Sequence, residues 1–210
     1  MPSIFVPIRS LGANHLERII RHLLSLESHD RYLRFGFMAN DEQIKRYAQS
    51  LDFARDEIFG IYNRRLELIA MAHLSFTTDA SLAACAEFGV SVSSHARGRS
   101  YGSRLFDRAV MHARNEGVSM LFIHALSENT AMLKIARQAG ALVERSGSES
   151  EAHLVLFPAT ADTRLNELFQ EHLAQSNYLV KVQIQKFGTL LSHLQTLRKD
   201  VISAQDKCAK

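Results

Sequence analysis

The sequence predicts an α/β domain with a helical extension, and three observations carry that reading. Apolar runs rich in β-branched and aromatic residues fill the middle of the chain at Glu57–Tyr62, Leu66–Phe76 and Cys85–Ser93. From Leu105 the apolar spacing changes to threes and fours, which is the period of a helix. Beyond Pro158 about fifty residues contain only one glycine and no proline, so nothing there interrupts a helix. The chain has 210 residues, 46% of them hydrophobic, which suits a single core of roughly 150 residues plus an appendage. The predicted division is a domain over 1–158 and a helical extension over 159–210.

Taken in order, Ser3–Arg9 predicts a short first strand, placed at an edge or end by Pro7. Asn14 can cap a helix carrying Leu16, Ile19, Ile20, Leu23 and Leu24 at helical spacing. Asn40 can cap a second, with Asp41 and Glu42 at the positive end of its dipole, running to about Phe53. Asn63-Arg64-Arg65 is turn chemistry between the first two central strands. After the third strand comes a helix with Leu105, Ala109, Met111 and Ala113, ended by Gly117. Met120–Ala125 predicts a buried strand, Thr130–Ala139 a helix with Gly140 beyond its end, and Ala141–Glu144 with His153–Phe157 a closing strand pair. The predicted order is β, α, α, β, β, β, α, β, α, β, β.

Composition removes several function classes. With 25 basic and 22 acidic side chains the net charge is +3, too small a surplus for a nucleic-acid stripe. Cys85 and Cys208 lie far apart without CxxC spacing, and ten histidines include no ligand-like pair, so neither a disulfide framework nor a metal is predicted. The apolar run Ile4–Ile8 is broken by Pro7, and no stretch approaches the ~18 apolar residues of a membrane span. A soluble protein of a reducing cytoplasm is expected.

The chemistry is concentrated in Ala86–Leu105, AEFGVSVSSHARGRSYGSRL, which runs strand, basic glycine-containing turn, helix. Glycines let a backbone approach a ligand closely, and the free amides of the helix start form an anion site reinforced by the dipole. A pyrophosphate fits that description, with Arg97 and Arg99 adding positive charge.

This segment resembles the GNAT (acyl-CoA N-acyltransferase) family, whose pyrophosphate motif Q/R-x-x-G-x-G/A matches Arg97-Gly98-Arg99-Ser100-Tyr101-Gly102 except for Ser100 at the first motif glycine. If that position is left-handed, a non-glycine residue costs ~1–2 kcal/mol. Ser127-Glu128-Asn129-Thr130-Ala131-Met132-Leu133 and Gly140 resemble the family's N-x-x-M-L…G-F segment, with Ala141 in place of Phe. Arg31-Tyr32-Leu33-Arg34-Phe35 resembles a segment of bacterial members, protein-lysine acetyltransferases among them. The resemblance implies a mixed, mostly antiparallel sheet, splayed at its centre and flanked by helices, with acetyl-CoA as acyl donor and a primary amine, small molecule or protein lysine, as acceptor.

It also implies site residues. The turn Arg97, Gly98, Arg99, Ser100, Tyr101, Gly102 and Ser103 would hold the pyrophosphate, while Asn129 and Met132 flank the pantetheine arm. Backbone groups near Val90 and Val92 would pair with that arm like an added strand, and the Val92 amide would polarise the thioester carbonyl. The two valine side chains need only be core. Attack requires a neutral amine, whose ordinary pKa near ~10.4 calls for a base; Glu87 occupies the place of a glutamate in the resembling lysine acetyltransferases. The family's usual tyrosine acid, seven residues after the asparagine, is Ala136 here. His124 and His73 could face the cleft or the core, and core is the expectation.

The expected reaction is direct acetyl transfer without a covalent enzyme intermediate. The alternative is a catalytically silent CoA-binding regulatory module that contacts a partner protein through its C-terminal helices. In those helices Phe187, Leu190, Leu194, Leu197 and Val201 alternate in threes and fours. Such a stripe must be buried, either against its own domain or in a homodimer through the same helix, and the dimer is the expectation.

Overall fold

The computed structural model describes residues 6–77 and 84–182. The opening of the predicted first strand, the seam from Phe187 to Val201 and Cys208 lie outside the described residues. Among those described, the elements are β1 (Arg9–Ser10), α1 (Leu16–Leu24), α2 (Ser28–Phe35), α3 (Asp41–Gln49), β2 (Glu57–Tyr62), β3 (Leu68–Phe76), β4 (Cys85–Val92), α4 (Tyr101–Asn115), β5 (Met120–Leu126), α5 (Thr130–Gln138), β6 (Leu142–Ser146) and β7 (Glu149–Val155). A last helix, α6, runs over 161–182.

The described strands form one sheet in the order β1-β2-β3-β4-β5-β7-β6. All neighbours are antiparallel except β4 and β5, which are parallel. That pair is joined only at Cys85, Ala86 and Glu87, opposite Met120, Leu121 and Phe122. Past Glu87, β4 stays with β3 as far as Val92, while β5 stays with β7 as far as Leu126. The sheet therefore splits at its centre. Among the described residues the facing edges of Phe88–Val92 and Ile123–Leu126 have no strand partner, so their backbone groups can pair with something else.

Each face of the sheet is covered by helices over its own core. On one side Phe59, Phe88, Leu105, Phe106, Leu121 and Ile123 pack beneath α4 and α5, with the Phe88 and Phe106 rings edge to face at 5.0 Å. On the other, Ile19, Leu23, Ile44, Ile58 and Met71 pack beneath α1 and α3. Val90 and Val92 are half-buried against the first core, as expected for side chains whose work is packing.

Several predicted boundaries are corrected. Among the described residues the first strand is Arg9–Ser10, one residue past the predicted end, and residues 6–8 make no ladder bonds. Asn14 does not cap α1; a 3-10 turn over Ala13–His15 precedes it. Asn40 does cap α3, in a reciprocal pair with Gln43, but that helix stops at Gln49. β3 begins at Leu68 instead of Leu66, since Leu66 is left-handed (φ 59°) and the Asn63 side chain accepts the Arg65 and Glu67 amides in a tight turn. Helix α2 was not predicted. Its eight residues SHDRYLRF are mostly polar and none is fully buried, too short and too polar a run to stand out as a helix, and Gly36 (φ 78°) ends it.

Helix α6 folds back across its own domain. Arg108 of α4, 4% exposed, donates to Glu167 at 2.8 Å and Glu171 at 3.2 Å. His112 Nδ1 lies 2.6 Å from Glu167, and Asn115 also donates to that carboxylate. Further along, Arg18 donates to the Tyr178 hydroxyl at 2.8 Å, Arg9 stacks on the Tyr178 ring at 3.8 Å, and Lys181 donates to the Tyr62 carbonyl at 2.9 Å. Burial alone would raise Glu167, but the hydrogen bonds from His112 and Asn115 and the charges of His112 and Arg108 pull it down to about 2.

Candidate active site

Glu87 marks the point where β4 and β5 part, and the wedge beyond it widens into a cleft of about 730 Å³. Because β4 and β5 are parallel, α4 and α5 follow their carboxyl ends; the start of α5 lines the cleft at Asn129 and Met132, whereas Val92 and the turn from Arg97 to Ser103 are not part of its lining. A crevice at the carboxyl ends of a parallel pair, with a helix N-terminus on its wall, is suited to an anionic ligand. The chain leaves β4 at Val92, makes a 3-10 turn over Ser94–Ala96, and enters the basic turn at Arg97.

Gly98 is left-handed (φ 74°), and a side chain there would meet nothing within 4 Å. Ser100 is left-handed as well (φ 58°, ψ 24°) and its side chain does not cap the helix. The departure from the motif glycine therefore falls at a position that disfavours a side chain, at a cost of ~1–2 kcal/mol. Gly102 serves differently from the expectation that its bareness faces the ligand. A Cβ there would lie 3.2 Å from Ile135 Cδ1, so this glycine lets α4 approach α5. Arg97 forms an ion pair with Asp30 of α2, while Arg99 is exposed and Tyr101 packs half-buried on the core. Ser103 is half-buried in the first turn.

On the β5 side, Asn129 accepts the Met132 amide at 3.1 Å, capping α5, and donates to the Leu33 carbonyl at 3.4 Å. Both Asn129 and Met132 line the cleft, as do Val90 and Glu87. Ala136 is fully buried, so the position of the missing tyrosine offers no acid.

The opposite wall comes from α2, α3 and the sheet. Arg34 lies so close over Gly89 that a Cβ there would meet its guanidinium carbon at 2.8 Å. Arg34 donates to the Tyr47 hydroxyl at 2.6 Å, and both side chains line the cleft with Glu87, His124, Glu144, Glu149 and Glu151. His124 corrects the core expectation: its side chain is 56% exposed and sits 4.0 Å from Glu151. His73 is half-buried and fully bonded, between Tyr47 at 3.0 Å and Asp56 at 3.0 Å. Arg34 and Tyr47 on the cleft wall, and buried Asp56 behind His73, were not announced by the sequence. The only signal was Arg34's place in the Arg31–Phe35 segment.

A split parallel pair, a basic turn at the following helix and an open strand edge are together the apparatus of an acyl-CoA transferase, and comparison decides the family. The family model for the acetyltransferase (GNAT) family matches residues 16–141. The chain belongs to the GNAT acetyltransferases. Membership makes it an N-acetyltransferase enzyme, one of a family that draws its acetyl group from acetyl-CoA and passes it to amines. No curated protein matches the sequence. Among solved structures, the GNAT domain of S. lividans PAT superposes with a TM-score of 0.60 at 19% identity, over 71% of this chain and 89% of that one. Spermidine N-acetyltransferase from Vibrio cholerae, in complex with CoA and spermine, gives 0.55 at 15% identity, over 70% and 94%. Ribosomal-protein-alanine N-acetyltransferase from Brucella melitensis gives 0.54 at 14%, over 71% and 99%. These likenesses establish the mixed, centrally splayed sheet flanked by helices. Among the described residues there is no metal-type cluster, and no helix is long and apolar enough to cross a membrane.

Proposed function

We propose that this GNAT enzyme transfers an acetyl group from acetyl-CoA to a primary amine by direct attack, with Glu87 as general base. The observation that carries the reading is the wedge itself: the β4 edge parts from β5 at Glu87 and lines the cleft as far as Val90, and the chain that leaves this strand at Val92 enters the basic turn at the start of α4. The residues present fit acetyl-CoA, which supplies the thioester. The α4 amides and Arg99 would take the pyrophosphate, with Arg97 contributing what charge its pairing with Asp30 leaves. The β4 backbone at Val90 and Val92 would pair with the pantetheine arm, and the Val92 amide would polarise the carbonyl. Asn129 and Met132 line the far wall. Glu87 would then take a proton from the acceptor ammonium, directly or through water.

The acceptor wall supports a cationic substrate. Glu87, Glu144, Glu149 and Glu151 face the cleft against Arg34 and Arg145. A small polyamine and a lysine side chain both satisfy that field, and at neutral pH both arrive charged. A reducing cytoplasm is the proposed setting, and Cys85, the cysteine among the described residues, is free. A homodimer through the seam at Phe187–Val201 stays a proposal, while 161–182 pack on their own domain.

One second reading has observations in its favour. Left-handed Ser100 and buried Ala136 are what a catalytically silent CoA-binding module would carry. Two measurements test the pair. Titration calorimetry with acetyl-CoA should give micromolar affinity, and free-thiol release should appear with at least one of spermidine, phenylethylamine and a lysine-containing peptide. Heat without turnover on any amine selects the silent module, and no heat at all removes the acyl-CoA assignment.

A further inference from the structure

The acceptor wall contains a second proton path beside Glu87. Tyr47 stands on α3 with its ring edge to face against Phe35 at 5.3 Å and its hydroxyl in the cleft. That hydroxyl meets Arg34 Nη2 at 2.6 Å and His73 Nδ1 at 3.0 Å. On the other side of the ring, His73 Nε2 lies 3.0 Å from Asp56 Oδ2. Asp56 is 7% exposed, and its other oxygen accepts from Arg55 at 3.1 Å and from the Phe76 amide at 3.3 Å.

The donors and acceptors fix the direction of this chain. An ionised carboxylate only accepts, so His73 carries its proton on Nε2 and leaves Nδ1 bare. Tyr47 must then donate to Nδ1. A guanidinium only donates, so Arg34 occupies one lone pair of the phenol oxygen, and the other remains for the cleft. The result is a carboxylate, an imidazole and a phenol in line, from a buried acid to the wall that Glu87 shares. A tyrosine needing only a partner could have had water at this position; here its proton is aimed at a base that is itself held by an acid.

We propose that Tyr47 is a catalytic residue of this site, accepting the second proton that the acceptor nitrogen sheds, after Glu87 has taken the first, with His73 and Asp56 as the positioning residues behind it. The inference rests on the acyl-transfer reading. In the step, an N–H bond of the nitrogen that has attacked the thioester carbonyl, and so carries a positive charge, breaks and an O–H bond forms on Tyr47. The original Tyr47 O–H bond breaks in concert, and an N–H bond forms at His73 Nδ1. The positive charge moves from the substrate nitrogen to the imidazole, where the Asp56 carboxylate balances it. The nitrogen is left neutral, and collapse of the tetrahedral adduct expels the thiolate and leaves the amide.

The surroundings of His73 suit an acceptor. Arg34 faces it from α2, Tyr47 from α3, Asp56 from the segment before β2 with Arg55 behind, and Glu87 from β4. Burial holds the ring below its usual value. The bond to Asp56 and the charges of Asp56 and Glu87 offset part of that, while Arg34 adds to it. The ring is therefore neutral at neutral pH and able to take a proton.

The test uses the full chain and three variants, Tyr47→Phe, Asp56→Asn and Glu87→Gln, with calorimetry on acetyl-CoA, pH-rate profiles on the best amine of the panel, and imidazole nitrogen NMR of His73 in the free protein. Tyr47→Phe keeps the ring against Phe35 and should keep the melting temperature and acetyl-CoA affinity while kcat falls about 10²-fold. Asp56→Asn should lower kcat and move the acid limb of the profile to lower pH, because the carboxylate that raises His73 is gone; a purely structural role would leave the limb in place. The wild-type NMR should show the Nε2–H tautomer. An Nδ1–H tautomer, or wild-type kcat and profile in Tyr47→Phe, overturns the relay while leaving acyl transfer intact. Absence of acetyl-CoA binding by the wild type takes down the acyl-transfer reading, and the role of the relay with it.

Discussion

The two walls of the cleft are built in different ways. The donor wall is made of backbone: an open strand edge at Val90 and Val92, a left-handed turn at Gly98 and Ser100, and the amides that begin α4. The acceptor wall is made of side chains, with Arg34, Tyr47, His73, Asp56 and Glu87 contributed by α2, α3, β3, β4 and the segment before β2. A backbone wall binds a ligand by shape and tolerates most side chains, so long as the few special dihedrals survive. On the acyl-transfer mechanism proposed above, the side-chain wall would set which acceptor reacts, and single-atom changes should register there. The difference teaches where this fold keeps its constant part and where it keeps its specificity.

That contrast can be broken by substitution. The largest expected effect is Gly102→Val, which drives a branched side chain toward Ile135 and wedges α4 from α5, at an overpacking cost of ~1–3 kcal/mol. Acetyl-CoA heat should disappear in calorimetry while the His73 imidazole signals stay in place; retained heat would mean that the turn does not depend on close helix contact. Next comes Glu87→Gln, which keeps size and removes basicity. Here kcat should fall ~10²-fold or more with unchanged acetyl-CoA affinity, and an unaltered pH-rate profile would return Glu87 to a surface role.

Ser100→Gly sharpens the comparison in the favourable direction. Relief of the left-handed strain is offset by the freer unfolded chain, leaving a gain of at most ~1 kcal/mol, read as tighter acetyl-CoA binding and a slightly higher Tm. The acceptor preference should not move. The smallest effect on acetyl-CoA binding and turnover belongs to neither wall and is read in stability alone. Glu167, held at about 2 against an ordinary 4.5, contributes stability above pH 4.5 that is lost as pH falls toward 2. His112, which burial would lower but the bond and charge of Glu167 raise above 6.5, contributes below pH 6.5 and loses that contribution as pH climbs past its folded value. Thermal stability should therefore be highest between about pH 4.5 and 6.5, and Glu167→Gln should flatten both flanks of the Tm profile.

The donor wall was legible in the sequence for the same reason that it tolerates change. Its parts are contiguous from Ala86 to Leu105, and strand, turn and helix each leave a periodic trace. Even its flaw at Ser100 could be foreseen, because a left-handed position is a property of one residue. The acceptor wall could not be assembled, since Tyr47 and His73 are 26 residues apart and meet only when α3 crosses β3. Glu87 was singled out through resemblance alone, and His124 was expected in the core because an apolar strand context does not say which face a histidine takes. Helix α2, which delivers Arg34, is too short and too polar a run to be seen.

The docking of α6 has a consequence for how the molecule comes apart. Arg108 is buried, and both its counter-charges stand on a helix that starts after the last strand of the sheet. Were α6 to peel away alone, Arg108 would lose both of its carboxylate partners, and Glu167 would lose His112 and Asn115 as well. Independent fraying of α6 is thereby penalised, and Arg9 and Ser10, tied to Tyr178 and Glu171, bring the beginning of the described chain into the same unit. Helix α6 is thus part of the same cooperative body as the sheet, and heating should reveal one transition for the two and not a separate one for the helix.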